Sequence, residues 1–252
     1  MNTINKIIRK IKHKLIYRKN KKPDQILNQI FINNKKKFIV QVGGNDGISN
    51  DPLRKFFKYV GNYEAIIFEP VKYYYSKLNI LYKNRNDIKI KRNFVSNTNK
   101  KKKIFYIKPN IADLMDANGP KNKWAHGQGS FSKKFIYSVI DKNNFRGSYY
   151  KKNITKFKNS ITSETVNPFK ISKIKFPEKS INLLLMDVQG HELQVIKSIN
   201  FKKQKIDYIY FEDENPTSKN SIKIIKLLKK NKYRLIGRLT WIDQVYWKQN
   251  KY

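Results

Sequence analysis

Glycines and acidic residues follow three apolar runs of this sequence at the points where the runs end. Residues 43–47 (GGNDG), Glu69 and Asp187 each come directly after a short run rich in Ile, Val, Leu or Phe. Glycine lets a backbone approach a ligand closely, and an acidic side chain after the second run can accept hydrogen bonds from both hydroxyls of a ribose. The glycines lack the G-x-G-x-x-G spacing of a dinucleotide-binding turn. The pattern therefore favours a ribose-bearing ligand without a pyrophosphate, such as S-adenosylmethionine.

Strands that alternate with helices must position these residues. Strands are predicted over residues 38–42, 65–68, 88–95, 104–107, 181–186, 206–211, 233–236 and 244–247. Helical patterns are predicted after residue 51, over residues 72–83, around 165–174, after Gly190 and over residues 221–230. This alternation indicates an α/β fold with a mostly parallel sheet covered on both faces and an antiparallel hairpin at one edge. Ligands of such sheets bind beyond the carboxyl ends of the strands.

Two further segments flank or interrupt this pattern. Residues 1–20 carry Ile and Leu at helical spacing with Lys between them, which predicts a basic amphipathic helix, and residues 19–24 read as a connector. The domain is then expected over residues 25–252. Residues 109–150 contain several glycines and no regular apolar pattern, which predicts a long loop or lid over the substrate.

The composition narrows the class of protein. The formal net charge is +37, but only 8 of the 55 basic residues are Arg. The excess of Lys, Asn, Ile, Tyr and Phe fits AT-rich codon usage, whereas the alternative is a selected polyanion-binding surface. The chain has no Cys, which excludes disulfides, thiolate metal sites and Cys catalysis. No signal-peptide pattern and no apolar run long enough for a transmembrane helix is visible, so a cytoplasmic location is expected.

Several stretches resemble the FkbM family of S-adenosylmethionine-dependent methyltransferases. They are residues 40–47 (VQVGGNDG), 68–70 (FEP), 185–192 (LMDVQGHE), 209–212 (IYFE) and the segment 233–246. They occur in the family's order and spacing over residues 37–247. The family usually has acidic residues where Gln41 and Gln189 stand here, and often a Lys where Met186 stands. Gln41 can still hydrogen-bond the methionine amino group, but without the charge attraction.

The resemblance implies a Rossmann-like class I methyltransferase fold and S-adenosylmethionine as the cofactor. Asn93 and Ser96 lie at the end of the third predicted strand, where the adenine is expected. The predicted cofactor-binding residues are Gln41, Gly43, Gly44, Asn45, Asp46, Gly47, Glu69, Asn93, Ser96 and Asp187. For the glycines, Asp46, Asn93 and Ser96 the alternative interpretation is an ordinary turn residue, and for Asp187 it is a helix N-cap.

The resemblance also implies O-methylation, often of a sugar hydroxyl. His191 is the candidate general base because its ordinary pKa suits proton removal from a hydroxyl. Asp187 is the second catalytic candidate, as a residue that positions the acceptor. The alternatives are a histidine at a helix start and a helix N-cap. The predicted acceptor-binding residues combine aromatic and hydrogen-bonding groups. They are Trp124, His126, Gln128, Ser130 and Glu212. For the four within residues 109–150 the alternative is a self-packed surface loop, and for Glu212 it is a structural carboxylate.

Two other functions stay open at this point. An RNA or nucleotide methyltransferase would explain the positive charge, although no RNA-binding module is recognisable. A non-catalytic, basic polyanion-binding protein with a degenerate cofactor pocket would explain Gln41 and Gln189. Residues 1–20 could in addition contact an anionic membrane surface. No metal site is predicted, because the sequence has neither H-x-x-x-H nor H-E-x-x-H spacing.

Overall fold

The computed structural model describes residues 22–58, 61–117, 124–142, 148–213, 217–239 and 243–249. The helix predicted over residues 1–20 lies outside these ranges. Among the helices within them, none combines the length and apolar character that a membrane crossing requires.

The elements follow one another with short connections. The first part forms α1 (Pro23–Ile32), β1 (Lys37–Val42), α2 (Arg54–Phe57), β2 (Tyr63–Phe68), α3 (Lys72–Leu81), β3 (Ile88–Lys91), β4 (Phe94–Val95) and β5 (Lys102–Ile107). The middle part forms α4 (Pro109–Ala117), a 3₁₀ turn (Trp124–Gly127), β6 (Gly129–Ser130), α5 (Lys133–Lys142), α6 (Ser148–Asn159), β7 (Ile161–Val166), β8 (Pro168–Phe169) and a second 3₁₀ turn (Ile171–Lys173). The last part forms β9 (Ile181–Met186), α7 (Glu192–Lys197), β10 (Tyr208–Glu212), α8 (Lys219–Lys230), β11 (Tyr233–Leu239) and β12 (Asp243–Lys248).

A seven-stranded sheet forms the centre of the protein. Its strand order is β11-β12-β10-β9-β1-β2-β3. The pairs among β3, β2, β1, β9 and β10 are parallel, and β12 runs antiparallel to both of its neighbours. This topology, with helices on both faces, confirms the predicted Rossmann-like fold and the hairpin at the edge. The reversed strand β12 lies between β10 and β11.

The strands of the sheet centre are buried on both faces, because helices cover both. Every residue of β1 is buried. On one face Ile39 packs with Leu27 of α1, and on the other Val40 packs in a cluster with Leu228 of α8. This explains why β1 reads as an unbroken apolar run except for Lys37 and Gln41, rather than as an alternating pattern.

Helix α1 was not expected, since residues 19–24 read as a connector. Pro23 occupies the first turn of α1, where the missing N–H costs nothing. Asp24 is the acidic residue of that turn, which suits the positive end of the helix. Helix α1 then buries Ile26, Leu27 and Ile30 against the sheet.

The predicted strand over residues 88–95 is divided into two in the structure. Residues 88–91 pair with β2, but the last pair joins Phe68 to Lys91. Beyond this pair β2 has ended and β3 lies at the sheet edge, so nothing holds the chain in the sheet. Phe94 and Val95 pair instead with β8. The helix suggested around 165–174 is also wrong, since the end of β7, β8 and a 3₁₀ turn occupy these residues.

Residues 109–150 are not the irregular stretch that the glycines suggested. They contain α4, the first 3₁₀ turn, β6, α5 and the start of α6. These helices enclose a core of their own, which includes Met115, Ile136, Ile140 and Tyr150. The glycines that are described, Gly127 and Gly129, end the 3₁₀ turn and begin β6 rather than forming a long loop.

Candidate functional site

The register of the parallel strands brings four predicted site residues to one edge of the sheet. Val42 pairs with both Phe68 and Met186, and Met186 pairs with Phe211. The residues that follow Val42, Phe68, Met186 and Phe211 are Gly43, Glu69, Asp187 and Glu212, so these four lie side by side. All four line a cavity of about 540 Å³, a size suited to a nucleoside-sized ligand.

Most of the predicted site residues line this cavity. They are Gln41, Gly43, Gly44, Asn45, Glu69, Asn93, His126, Gln128, Asp187, His191 and Glu212. Four others, Asp46, Gly47, Ser96 and Ser130, do not line it. The backbone of Trp124 lies in the 3₁₀ turn, and its side chain is outside the described part of the chain.

The residues that miss the cavity have structural contacts. The Asp46 carboxylate accepts hydrogen bonds from the backbone N–H groups of Ile48 and Ser49, at 2.9 and 2.7 Å, and so closes the turn after the glycines. Ser96 is buried and its N–H donates to Phe169, as part of the small β4–β8 sheet. The Ser130 hydroxyl accepts from the N–H of Ser132. The contacts of Asp46 and Ser96 agree with the alternative interpretation of these two as turn residues.

The turn after β1 approaches the turn after β9 very closely. Gly43 has a φ of +85°, and a Cβ built on it would lie 2.0 Å from the backbone oxygen of Asp187. A Cβ on Gly44 would lie 2.4 Å from Cγ2 of Ile67. The first glycines of the turn are thus required by the protein's own backbone and side chains, and not only by a ligand.

Glu69 ties the glycine turn to the start of α3. Its Oε2 accepts the N–H of Asn45 and its Oε1 accepts the N–H of Val71, both at 2.9 Å. The side chain is buried, and burial raises its pKa to about 8 in spite of these bonds. Each carboxyl oxygen has two lone pairs. Glu69 therefore keeps some hydrogen-bonding capacity at the cavity wall.

Hydrogen bonds of its own side chains stabilise the turn between β9 and α7. Gln189 and Gly190 both have positive φ, at +49° and +92°. Glu192 accepts the N–H of Gly190 at 3.1 Å, and Gln189 donates to the Asp187 carboxylate at 2.9 Å. Burial raises the pKa of Glu192 to about 7. This turn places Asp187 and His191 at the cavity.

His191 lies in an apolar environment. Its ring stands 4.7 Å from that of Phe131 and 6.2 Å from that of Phe94, measured between centroids. Burial lowers its pKa to about 4, and the positive charge of Lys102 acts in the same direction. Its Nε2 is buried without a hydrogen-bond partner among the described residues. At neutral pH His191 is therefore an uncharged imidazole with one nitrogen available to a ligand.

His126 is held by two side chains. Its Nδ1 lies 3.2 Å from the Tyr74 hydroxyl, and its Nε2 lies 2.8 Å from Asp113 Oδ1. Tyr74 lines the cavity, as do Gly127 and Gln128 beside His126. A Cβ on Gly127 would lie 3.9 Å from the side chain of Asn45. The 3₁₀ turn thus forms a wall of the cavity next to the glycine turn.

Sequence analysis missed five polar residues of the cavity. They do not stand at the predicted strand ends, and the fold brings them to the cavity from other positions. They are Asp24, Asp51, Tyr74, Tyr210 and Asp243. In the sequence Asp51 stands only before a predicted helix. Tyr210 and Asp243 are hydrogen-bonded to each other. They meet because Glu212 of β10 pairs with Asp243 of β12, a register that no local sequence pattern indicates.

The cavity is acidic in an otherwise strongly basic chain. Asp24, Asp51, Glu69, Asp187, Glu212 and Asp243 line it, and the described lining contains no Lys or Arg. Such a wall favours cationic and neutral ligands over anionic ones. Within the described ranges, no group of three or more His, Asp or Glu side chains is arranged to hold a metal ion.

The sheet topology, the cavity and the buried Glu69 together define a Rossmann-like domain with a site for a nucleoside-containing ligand at the carboxyl ends of its strands. Residues 41–235 match the family model described as "Methyltransferase FkbM domain". The chain belongs to the FkbM methyltransferase family. Membership confirms the recognition made from the motifs and, with it, S-adenosylmethionine as the cofactor. No curated protein matches the sequence.

Similar solved structures include three methyltransferases. The FkbM methyltransferase of Methylobacillus flagellatus KT is 12% identical, with a TM-score of 0.45 over 84% of this chain. This chain spans 43% of the length of that protein. The precorrin-6y C5,15-methyltransferase of Geobacter metallireducens GS-15 is 8% identical, with a TM-score of 0.42 over 89% of this chain and 88% of its own. A SAM-dependent methyltransferase of Aquifex aeolicus is 10% identical, with a TM-score of 0.38 over 89% of this chain and 87% of its own.

Proposed function

We propose that the chain is an S-adenosylmethionine-dependent O-methyltransferase that acts on a hydroxyl of a carbohydrate or glycan-like acceptor. The observation that carries the proposal is the single cavity that Glu69, Asp187 and His191 share at one edge of the sheet. It combines the carboxyl group of Glu69, proposed to bind the ribose, with an imidazole whose Nε2 has no hydrogen-bond partner among the described residues.

The residues present fit the cofactor. Glu69 would accept hydrogen bonds from the ribose hydroxyls, and Gln41 would accept one from the methionine amino group. Three oxygens of cavity residues are buried without a hydrogen-bond partner within the described ranges: Gln41 Oε1, Asn45 Oδ1 and Asp51 Oδ2. Buried polar atoms are nearly always paired in proteins, so a ligand that donates hydrogen bonds is expected here. When bound, S-adenosylmethionine supplies an electrophilic methyl group.

His191 is proposed to remove the proton of the acceptor. A hydroxyl oxygen becomes strongly acidic as its bond to the methyl carbon forms, so even a weakly basic imidazole can accept the proton at Nε2. The lowered pKa of His191 keeps this nitrogen unprotonated at neutral pH. Asp187 and Glu212, at neighbouring strand ends, would position the acceptor hydroxyl. Much of the acceleration then comes from the alignment of the reacting atoms.

The charge of the cavity supports an acceptor without phosphate. An RNA or nucleotide acceptor would bring negative charge to a wall with six acidic residues and, among its described residues, no Lys or Arg. A neutral polyhydroxyl compound meets no such repulsion and finds acceptors in Asp187 and Glu212. His126 of the 3₁₀ turn and Gln128 just after it are the proposed acceptor contacts. A cytoplasmic location and a membrane contact of residues 1–20 stay predictions from the sequence.

The test has two stages. Isothermal titration of the purified chain with S-adenosylmethionine should give micromolar binding, and an acceptor screen with methyl-labelled cofactor should then transfer label to a glycan hydroxyl. The screen should include neutral sugars, amino sugars, nucleotide sugars and RNA. Label on RNA alone would replace the proposed acceptor with the alternative one. Absence of cofactor binding, together with salt-dependent polyanion binding, would support the non-catalytic alternative.

A further inference from the structure

Gln41 stands where the family usually has an acidic residue, and a carboxylate from another element meets it. Nε2 of Gln41 donates to Oδ1 of Asp51 at 3.1 Å. Gln41 lies on β1, whereas Asp51 lies in the segment that leads into α2, ten residues further along the chain. Both side chains line the cavity. The missing charge on the strand is therefore present one side chain away.

The hydrogen bond fixes the orientation of the Gln41 amide. An amide oxygen turned toward the Asp51 carboxylate would place two acceptors against each other. The amide nitrogen must face Asp51, so the amide oxygen is directed elsewhere. Gln41 is only 2% exposed, and its Oε1 has no hydrogen-bond partner among the described residues.

Asp51 has an unsatisfied oxygen as well. Its Oδ1 accepts from Gln41 and from the N–H of Leu53 at 2.8 Å, whereas its Oδ2 is buried without a partner within the described ranges. Burial raises the pKa of this carboxyl group, so the charged form is costly here without a cationic ligand. Two buried acceptor oxygens on adjacent, hydrogen-bonded side chains indicate a ligand with several N–H donors.

We infer that Asp51 is a cofactor-binding residue, which together with Gln41 holds the α-ammonium group of the methionine moiety of S-adenosylmethionine. An ammonium group has three donors and a positive charge, so it satisfies Gln41 Oε1, Asp51 Oδ2 and the buried negative charge together. This inference rests on the proposed function, since it assigns a residue within the proposed cofactor site. A carboxylate from the segment before α2 thus supplies the charge attraction that Gln41 cannot provide.

The experiment compares two ligands that differ only in the amino group. S-adenosylhomocysteine and its analogue without the α-amino group are titrated into wild type and Asp51→Asn. The asparagine keeps an oxygen for Leu53 and Gln41 but lacks the charge. We expect Asp51→Asn to weaken S-adenosylhomocysteine binding about 10- to 100-fold and binding of the analogue by about twofold or less. Equal losses for both ligands would overturn the inference, because they indicate a structural role.

Two further variants sharpen this test. Asp243→Asn removes another carboxylate of the same cavity, and it should not reproduce the selectivity change. If it does so fully, the general potential of the cavity and not Asp51 recognises the ammonium group. The double variant Gln41→Glu with Asp51→Asn keeps one carboxylate in the pair and should restore the preference for S-adenosylhomocysteine, even where Asp51→Asn alone is poorly folded. Wild type that binds neither ligand contradicts the proposed function, whereas wild type that binds both equally contradicts only this inference.

Discussion

The backbone oxygen of Asp187 occupies the place that a side chain at residue 43 would need. A Cβ on Gly43 would lie 2.0 Å from this oxygen, and the backbone N–H of Asp187 donates a hydrogen bond to the backbone oxygen of Val42. The turns after β1 and β9 therefore pack directly against each other. This contact fixes the separation of the glycine turn, proposed to bind the cofactor, from Asp187, proposed to bind the acceptor.

Gly43→Ala should therefore destabilise the protein. The substitution adds a clash to the strain of a positive φ, and we expect the free energy of unfolding to fall by about 2–5 kcal/mol in urea denaturation. Gly190→Ala is the matched control, because its φ is also positive but a Cβ there meets no atom within 4 Å. It should cost about 1–2 kcal/mol. Similar losses for both variants would show that backbone strain alone, and not the contact with Asp187, requires Gly43.

His191→Asn should reduce turnover without reducing cofactor affinity. Removal of a general base typically costs about 10²- to 10⁴-fold in rate, so kcat should fall by that amount once an acceptor is found. The dissociation constant of S-adenosylmethionine, measured by titration, should stay the same. A large loss of cofactor binding in this variant would instead assign His191 to the cofactor site or to the fold.

The pH dependence of kcat gives a separate test of His191. Since burial lowers its pKa to about 4, the imidazole stays neutral and able to accept a proton down to about that pH. With both substrates saturating, kcat should not show the loss of activity near pH 6.5 that an ordinary histidine base produces. An acid limb centred near pH 6.5 would contradict the buried position of His191 in the working enzyme.

Glu69→Ala should weaken S-adenosylmethionine binding by about 1.5–3 kcal/mol, because a hydrogen-bonding partner of the ribose is removed. Glu69 also accepts the N–H groups of Asn45 and Val71, so the alanine variant loses turn contacts as well. Glu69→Gln keeps one acceptor oxygen and should lose less. Titration calorimetry of both variants, with circular dichroism as the folding control, separates the two effects. Unchanged binding in both would exclude Glu69 from the cofactor site.

Glu69 should also make stability depend on pH. Its pKa is about 8 in the folded protein and about 4.5 when unfolded, so the folded state holds the proton more tightly between these values. Its contribution is complete below about pH 4.5 and is lost as pH rises toward 8. His191, with a lowered pKa, acts in the opposite direction only between about pH 4 and 6.5. The free energy of unfolding should therefore fall from pH 6.5 to 8.

The Glu69→Gln variant is the control for that pH dependence. It cannot ionise at this position, so its decline in stability between pH 6.5 and 8 should be smaller than that of wild type, with denaturation measured at fixed ionic strength. The pKa of Glu192, about 7, leaves a smaller decline in the same direction. Parallel curves for the two proteins would show that Glu69 is not the titrating group.

Local sequence patterns predicted the strand centres well and some boundaries poorly. The strand over 181–186 agrees residue by residue, because its five apolar residues, interrupted only by Asn182, stand between Ser180 and Asp187 and favour a short buried strand. The segment 109–150 was interpreted incorrectly because its glycines suggested a loop, and the helical spacing of Ile136 and Ile140 was overlooked. Helix α1 was missed because Pro23 suggested a connector, although proline is also common in a first helical turn.

The sequence by itself determined the family and the residues at the carboxyl ends of the strands. The order and spacing of the motifs specify both. The residue that follows each strand, such as Gly43, Glu69 or Asp187, can be read from the sequence without knowing the order of the strands in the sheet. Only the tertiary structure decided which other side chains join them. Asp51, Tyr210 and Asp243 reach the cavity through the register of distant strands and the packing of α2. Whether a carboxylate is buried, and hence its pKa and its need for a cation, depends on neighbours that are far away in the chain.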